Sequence, residues 1–220
     1  MELNKIYNKD CLNGIKDLPN NSVDLIITDP PYGDNINYGR NGKSILNNKD
    51  ESINYKILPE LFRVLKDNSC CYIFTNWKFE CKLRNFINKN TDFSIRMLLV
   101  IVKNNMGMGY GFRNQYELCL VLEKGICKYK LNNFSNFQKM RHINHDNSTH
   151  PHQKDELLIQ KMIQHSSNKN DIVLDPFMGS GTTAVAAKHL CRYFIGFELD
   201  KNYYNITIER LKQDNINKWF

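Results

Sequence analysis

The sequence predicts an α/β fold: a doubly wound, mostly parallel sheet with an antiparallel hairpin at one edge, in a single domain with a short insertion. Three observations carry this. Short apolar runs of strand length alternate with longer amphipathic stretches, the pattern of strands joined by crossover helices. Two of the runs end in a distinctive motif: Asp29-Pro30-Pro31-Tyr32 follows the run 23–28, and Asp175-Pro176-Phe177-Met178-Gly179-Ser180-Gly181-Thr182-Thr183 follows the run 171–174. Two further runs, 93–102 and 116–122, have only a glycine-containing connection between them, so the chain turns back and pairs antiparallel.

Taken in order, residues 3–8 form a short strand leading into Asp10-Cys11, and a helical turn after them ends at Pro19. The run Val23-Asp24-Leu25-Ile26-Ile27-Thr28 is a buried strand, stopped by two prolines that have no N–H for a ladder. Residues 33–50 are rich in glycine and asparagine. They read as a long loop, either a lid contacting a ligand through Tyr38, Arg40 and Lys43 or a plain surface loop. Ile53, Ile57, Leu58, Leu61, Phe62 and Leu65 recur at helical spacing over 51–66, and 70–75 is a second buried strand. A helix over 78–88 precedes the hairpin.

Residues 124–150 break the pattern. Lys124, Lys128, Lys130, Lys139 and Arg141 outnumber a single acid, Asp146, and Tyr129, Phe134 and Phe137 lie among them. Such a stretch suits phosphates and bases, or is a solvated connection. His142, His145, His150 and His152 lack a cysteine or paired carboxylate to complete a site, so no metal is assigned. A helix starts at Pro151, with Asp155 and Glu156 at its positive end. A strand over 171–174, the glycine turn, an alanine-rich helix to about Leu190, a strand over 192–197 ending at Glu198, and a helix with Tyr204, Ile208 and Leu211 on one stripe follow. The organisation is 1–123 with the first motif, 124–150 as the basic insertion, and 151–220 with the second motif, both halves forming one domain.

A chain of 220 residues is enough for one such domain and too short for two. Lys and Arg number 30 against 23 Asp and Glu, a net charge of +7 that favours a polyanionic partner. Seven cysteines without a Cys-x-x-Cys pair fit a reducing cytoplasm better than a disulfide scaffold. No apolar run reaches membrane-spanning length and the amino terminus has no secretory pattern, so a soluble cytoplasmic protein, not a membrane one, is expected.

The first motif places a carboxylate, rigid backbone carbonyls and an aromatic ring at the carboxyl end of a strand, where open α/β sheets bind ligands. An exocyclic amine on a nucleobase is a poor nucleophile because its lone pair is delocalised. A carboxylate and a carbonyl that accept its hydrogens raise the electron density on nitrogen, and the ring gives the base a face to stack on. The second motif is the strand, glycine turn, helix, strand and acid of a mononucleotide site. Gly179 and Gly181 let backbone approach a ligand, and Glu198 stands where an acid meets ribose hydroxyls.

Asp29-Pro30-Pro31-Tyr32 resembles the catalytic motif of amino-directed DNA methyltransferases, which carry a methyl group from S-adenosylmethionine to adenine N6 or cytosine N4. In that family the Asp form leans toward adenine and a Ser form toward cytosine. The stretch from Asp175 to Thr183 is similar to the family's cofactor motif, and His150-Pro151-His152-Gln153-Lys154 resembles the segment before it. Asp10-Cys11 looks like the pair that receives the cofactor's adenine, and Gly111-Phe112-Arg113 with Tyr116-Glu117 is similar to another recurrent segment. The order of motifs matches the β class.

The resemblance implies a Rossmann-like methyltransferase sheet whose first strand lies beside the last strand of the cofactor half. It implies Asp29, Pro30, Pro31 and Tyr32 as catalytic residues. It places S-adenosylmethionine among Asp10, Cys11, Lys154, Asp175, Phe177, Gly179, Ser180, Gly181, Thr182 and Glu198. DNA is the implied partner, with its target base flipped out, and many relatives pair up as homodimers. A restriction-modification setting is the implied context, although no residue pattern points to a restriction-enzyme partner. One departure is Asp155, where the family carries Pro. The expected function is a site-specific adenine-N6 DNA methyltransferase; cytosine-N4 methylation and a catalytically silent nucleic-acid-binding module are the alternatives. A nicotinamide oxidoreductase would use the glycine turn and Glu198 but leave Asp29 to Tyr32 with no role.

Overall fold

The computed structural model describes residues 1–32, 52–107, 110–140 and 154–216. In chain order the elements are β1 (Lys5–Tyr7), α1 (Cys11–Ile15), β2 (Val23–Thr28), α2 (Ser52–Val64), β3 (Leu65–Thr75), α3 (Glu80–Asn90) and β4 (Ser94–Val102). There follow β5 (Tyr116–Lys124), β6 (Phe137–Lys139), α4 (Glu156–Ser166), β7 (Ile172–Asp175), α5 (Thr182–His189), β8 (Tyr193–Phe197) and α6 (Lys201–Ile216). The strands form one sheet in the order β1-β8-β7-β2-β3-β5-β4-β6. From β1 to β3 every neighbouring pair is parallel. β5 runs antiparallel to both β3 and β4.

Alternation along the central strands makes the two layers. Leu25 and Ile27 of β2 share one core with Cys70, Tyr72 and Phe74 of β3, covered by Ile159 and Met162 of α4 and Ala184 and Ala187 of α5. Val23 and Ile26, with Cys71 and Ile73, face the other core, covered by Ile15 of α1, Leu58 and Leu61 of α2, and Leu83 and Ile87 of α3. A strand buried on both faces reads as a near-continuous apolar run, which is the pattern that marks β2 in the sequence. Full burial of one such Leu or Ile contributes about 1.5–3 kcal/mol.

The chain winds from β2 outward to β3 and later from β7 outward to β8, in opposite directions. The winding reverses between β2 and β7, and in open α/β sheets that crevice receives the ligand. β1 pairs in parallel with β8, as the resemblance implied, with Tyr7 beside Phe197.

Three expectations change. The β4–β5 hairpin is antiparallel but is not the edge, because β6 pairs with β4 at Val100–Val102 and takes the outermost place. The cause lies in the basic segment itself. Tyr129 and Phe134 stack on either side of His165 of α4, at ring distances of 4.7 and 4.6 Å, and pack against the core. Those rings draw the segment back over the sheet. Lys124 is likewise structural, donating to the carbonyls of Phe62 and Leu65 and to Asn21. Lys128, Lys130 and Lys139 are exposed.

Second, the helix expected from Pro151 begins at Glu156, with Asp155 as its N-cap: the Asp155 carboxylate accepts the Leu157 N–H at 3.0 Å. Asp155 therefore starts a helix in place of the family's Pro. Third, β3 begins at Leu65, directly after α2, where the sequence carried the helix to residue 66 and started the strand at residue 70. The expected loop at 33–50, Arg141, and the histidines at 142, 145, 150 and 152 lie outside the described residues. Among the described residues, no helix is long and apolar enough to cross a membrane.

Candidate functional site

A cavity of about 330 Å³ opens at the carboxyl ends of β1, β8, β7 and β2. Its walls hold Asp29, Pro30, Pro31 and Tyr32 from the first motif and Asp175, Phe177, Gly179, Ser180 and Thr182 from the second. Asp10, Cys11, Lys154 and Glu198 complete the set. Two motifs almost 150 residues apart thus face one space, because β2 and β7 are neighbours in the sheet and point the same way.

Gly181 is the predicted residue that does not line the cavity. It is the N-cap of α5 with φ +84°, a left-handed conformation that favours glycine. An added Cβ would stand 2.5 Å from Thr207 of α6. Gly181 shapes the turn from behind.

Glu198 directly follows β8 and holds two loops together. One carboxylate oxygen accepts the Gly179 N–H and the other the Asp200 N–H, each at 2.8 Å. Burial raises its carboxyl above the usual range, and these backbone bonds oppose the shift. Asp10 sits across from it as N-cap of α1, accepting the Asn13 N–H at 3.1 Å. The Lys9 N–H and the Asn8 side chain both bond the Glu198 carbonyl, so the acids belong to adjoining strand ends. Cys11 is buried at the start of α1, and burial followed by the Asp10 charge pushes its thiol up to about 12.

Asp175 is 5% exposed and accepts two bonds, from Thr183 Oγ1 at 2.7 Å and the Phe177 N–H at 3.1 Å. Burial raises its carboxyl from 3.8 to about 7, the two bonds resisting. The sign of the linkage follows. Between those values the folded chain holds a proton that the unfolded chain has released, so stability falls as pH rises through that window. Asp175→Asn keeps both bonds, since the Thr183 hydroxyl can also accept. The variant should gain stability relative to the parent between pH 5 and pH 8, by about a few kcal/mol at most. Urea unfolding of both proteins at the two pH values checks this; equal differences would mean that Asp175 titrates normally.

On the other side of the cavity, Asp29 Oδ1 accepts the Tyr32 hydroxyl, and burial followed by the Asp29 charge raises the Tyr32 pKa. Asp29 Oδ2 accepts Lys154 Nζ at 2.9 Å. Lys154, expected beside the cofactor, thus has its ammonium on the first motif and on Glu117 Oε2 at 2.7 Å. Asn54 of α2, 2% exposed, donates to the Pro31 carbonyl at 2.6 Å and ties the motif's backbone to a helix.

Several of these residues carry little or no signal in the sequence. Glu117 is visible there only as half of a recurrent dipeptide, and Asn54 and Lys103, whose ammonium pairs with Glu117 Oε1 at 2.5 Å, have no mark at all. Thr207 and Arg210 stand one turn apart on α6, the spacing that puts them on one face. Thr207 Oγ1 donates to the Gly179 carbonyl at 2.8 Å, and Arg210 donates to the Ser180 carbonyl at 2.5 Å. Together they clamp the glycine turn from beneath.

Comparison with known proteins accords with this geometry. A family model described as DNA methylase, N6_N4_Mtase, matches residues 23–209. The chain is 32% identical to the type II methyltransferase M.HpaI of Haemophilus parainfluenzae over 231 aligned positions, covering 93% of this chain and 74% of that protein. It is similar to the crystal structure of the M1.HpyAVI–SAM complex, with 31% identity, a TM-score of 0.74, and coverage of 94% of this chain and 98% of that one. The cytosine-N4-specific PvuII DNA methyltransferase, at 15% identity, shares the fold with a TM-score of 0.79 over 94% of this chain and 85% of that one. The chain belongs to the N6_N4_Mtase family of DNA methylases, the S-adenosylmethionine-dependent amino methyltransferases.

Proposed function

We propose that the protein methylates adenine at N6 within specific sites in DNA, with Asp29 to Tyr32 as its catalytic residues. The observation that carries this reading is the single cavity joining the Asp29 carboxylate to the glycine turn. S-adenosylmethionine is the cofactor, and when bound it supplies an electrophilic methyl group on a sulfonium. The residues present fit such a group. The lining lysines Lys9, Lys103 and Lys154 are each already paired with a carboxylate. Asp10, Glu198 and Asp200 leave the glycine-turn half acidic. That half suits a sulfonium and an ammonium, and it would repel the pyrophosphate of a dinucleotide.

The chain's own groups then divide the work. Glu198, fixed by two backbone N–H groups, turns its remaining lone pairs to ribose hydroxyls, and Asp10 faces the adenosine end. Asp29 accepts one hydrogen of the target amine, and the Pro30 carbonyl accepts the other. The Tyr32 ring stacks on a base flipped out of the duplex. The Asp at position 29, by the family resemblance, favours adenine. Unmethylated DNA incubated with protein and cofactor, then digested to nucleosides and weighed by mass spectrometry, tests the choice of base. N6-methyladenine is expected. N4-methylcytosine would move the reading to cytosine, and no methylated base would end it.

Exposed Lys128, Lys130 and Lys139 are proposed to meet DNA phosphates from the basic segment. Replacing all three with Gln should make the salt dependence of DNA affinity shallower, by up to about 0.9 in log–log slope for each phosphate no longer neutralised. Fluorescence anisotropy across a salt series measures the slope. An unchanged slope would leave the segment with only its role as edge strand and cover for the core.

A further inference from the structure

Both oxygens of Asp29 have partners. Oδ1 accepts the Tyr32 hydroxyl, and Oδ2 accepts Lys154 Nζ at 2.9 Å. The same ammonium reaches Glu117 Oε2 at 2.7 Å and lies 4.4 Å from the centre of the Phe74 ring. Glu117 Oε1 in turn takes Lys103 Nζ at 2.5 Å. Carboxylate, ammonium, carboxylate and ammonium alternate in one connected row that joins the first motif, the residue before the N-cap of α4, β5 and the residue after β4.

Such a row could move a proton or hold a geometry. Burial pushes the Glu117 carboxyl up, but the charges of Lys154 and then Lys103 outweigh it and hold it down at about 2. Burial pushes the Lys154 ammonium down, but the charges of Asp29 and then Glu117 reverse this and raise it. Neither inner group exchanges a proton near neutral pH, so the row is a clamp and not a wire. An amine arriving at Asp29 must then share or displace a resident partner. Lifting Lys154 away would strip a mostly buried ammonium, 16% exposed, of one of its two carboxylates. Lifting the Tyr32 hydroxyl breaks only a bond from a neutral group, and it frees the ring.

We propose that Lys154 is a positioning residue, keeping its hold on Asp29 Oδ2 while the target amine takes Oδ1 in place of the Tyr32 hydroxyl. Glu117 and Lys103 anchor Lys154 from behind. The proposal rests on the reading of Asp29 as the acceptor of the amine, and it assigns Lys154 to the amine side of the cavity instead of the cofactor side.

The test compares Lys154→Met, Lys154→Arg and Asp29→Ala in the full chain. Single-turnover methyl transfer to unmethylated genomic DNA is measured at saturating S-adenosylmethionine, beside calorimetric binding of that cofactor. Lys154→Met should slow transfer by about 100-fold, the scale of a misplacement near 1 Å. Its cofactor affinity should stay within about threefold, and Lys154→Arg should recover about tenfold of the rate, as a retained charge on the same partners would. The double variant Lys154→Met with Glu117→Gln removes one charge of each sign and carries the same test if the single variant does not fold. Loss of cofactor binding in these variants with transfer intact at saturation would overturn the proposal, as would an Arg variant no faster than Met. Normal transfer by Lys154→Met beside an inactive Asp29→Ala would refute the clamp and leave the reading of Asp29 standing. Normal transfer by Asp29→Ala would remove that reading and the clamp with it.

Discussion

Asp29→Ala is expected to slow methyl transfer by roughly a thousandfold, within the range for a group that handles a proton of the reacting atom. Cofactor affinity should change by only a fewfold. The Asp29 carboxylate meets Tyr32 and Lys154, and the glycine turn is held instead by Glu198, Thr207 and Arg210. Calorimetry with the cofactor, run beside a rate assay, separates the two effects. Retained turnover would mean that another group accepts the amine. Lost cofactor binding would mean that the two halves of the cavity are held together through Asp29.

The second large effect is expected at Glu198, on binding and not on rate. Glutamine keeps the shape, but each Glu198 oxygen already accepts a backbone N–H at 2.8 Å. The amide must therefore point its NH₂ at one of those donors. The variant loses the charge that ribose hydroxyls would feel, and it also sets Gly179 or Asp200 adrift. Losing one bond to a charged group costs about 1.5–3 kcal/mol, so cofactor affinity should fall by about ten- to a hundredfold. Affinity for DNA should be little altered. Unchanged cofactor affinity would place the ribose elsewhere in the cavity.

Local signals made much of this legible. β2 and β7 are short, apolar and ended by residues that cannot continue a strand, so their limits fell within a residue or so of expectation. The motifs at their ends were visible for the same reason. Long-range packing was not. Nothing in the composition of residues 124–140 says that Tyr129 and Phe134 will sandwich a histidine of α4, yet that stacking lays β6 along the hairpin. Lys154 shows the same limit at the site. Its neighbours in sequence pointed to the cofactor motif, whereas its partners come from the first motif and from β5. Thr207 and Arg210 were hidden because they serve the glycine turn from outside the motif, through one face of a helix chosen by tertiary packing.

The pairing of β1 with β8 bears on the birth of the chain. Asn8 and Glu198 are bonded across 190 residues of sequence. At roughly 5–20 residues per second, a ribosome needs on the order of 10–40 s to make the second after the first. Throughout that interval β1 has no neighbour, and β7, once made, keeps an open flank until β8 follows it, an invitation to pair with the wrong strand. Asp10 waits equally long for the acid that faces it. A small molecule held between those two ends can favour only molecules in which both are present, and it stabilises them by mass action. Nascent chains that stop before β8 should gain no protection from the cofactor at any concentration, whereas chains released with β8 in place should resist protease more as its concentration rises.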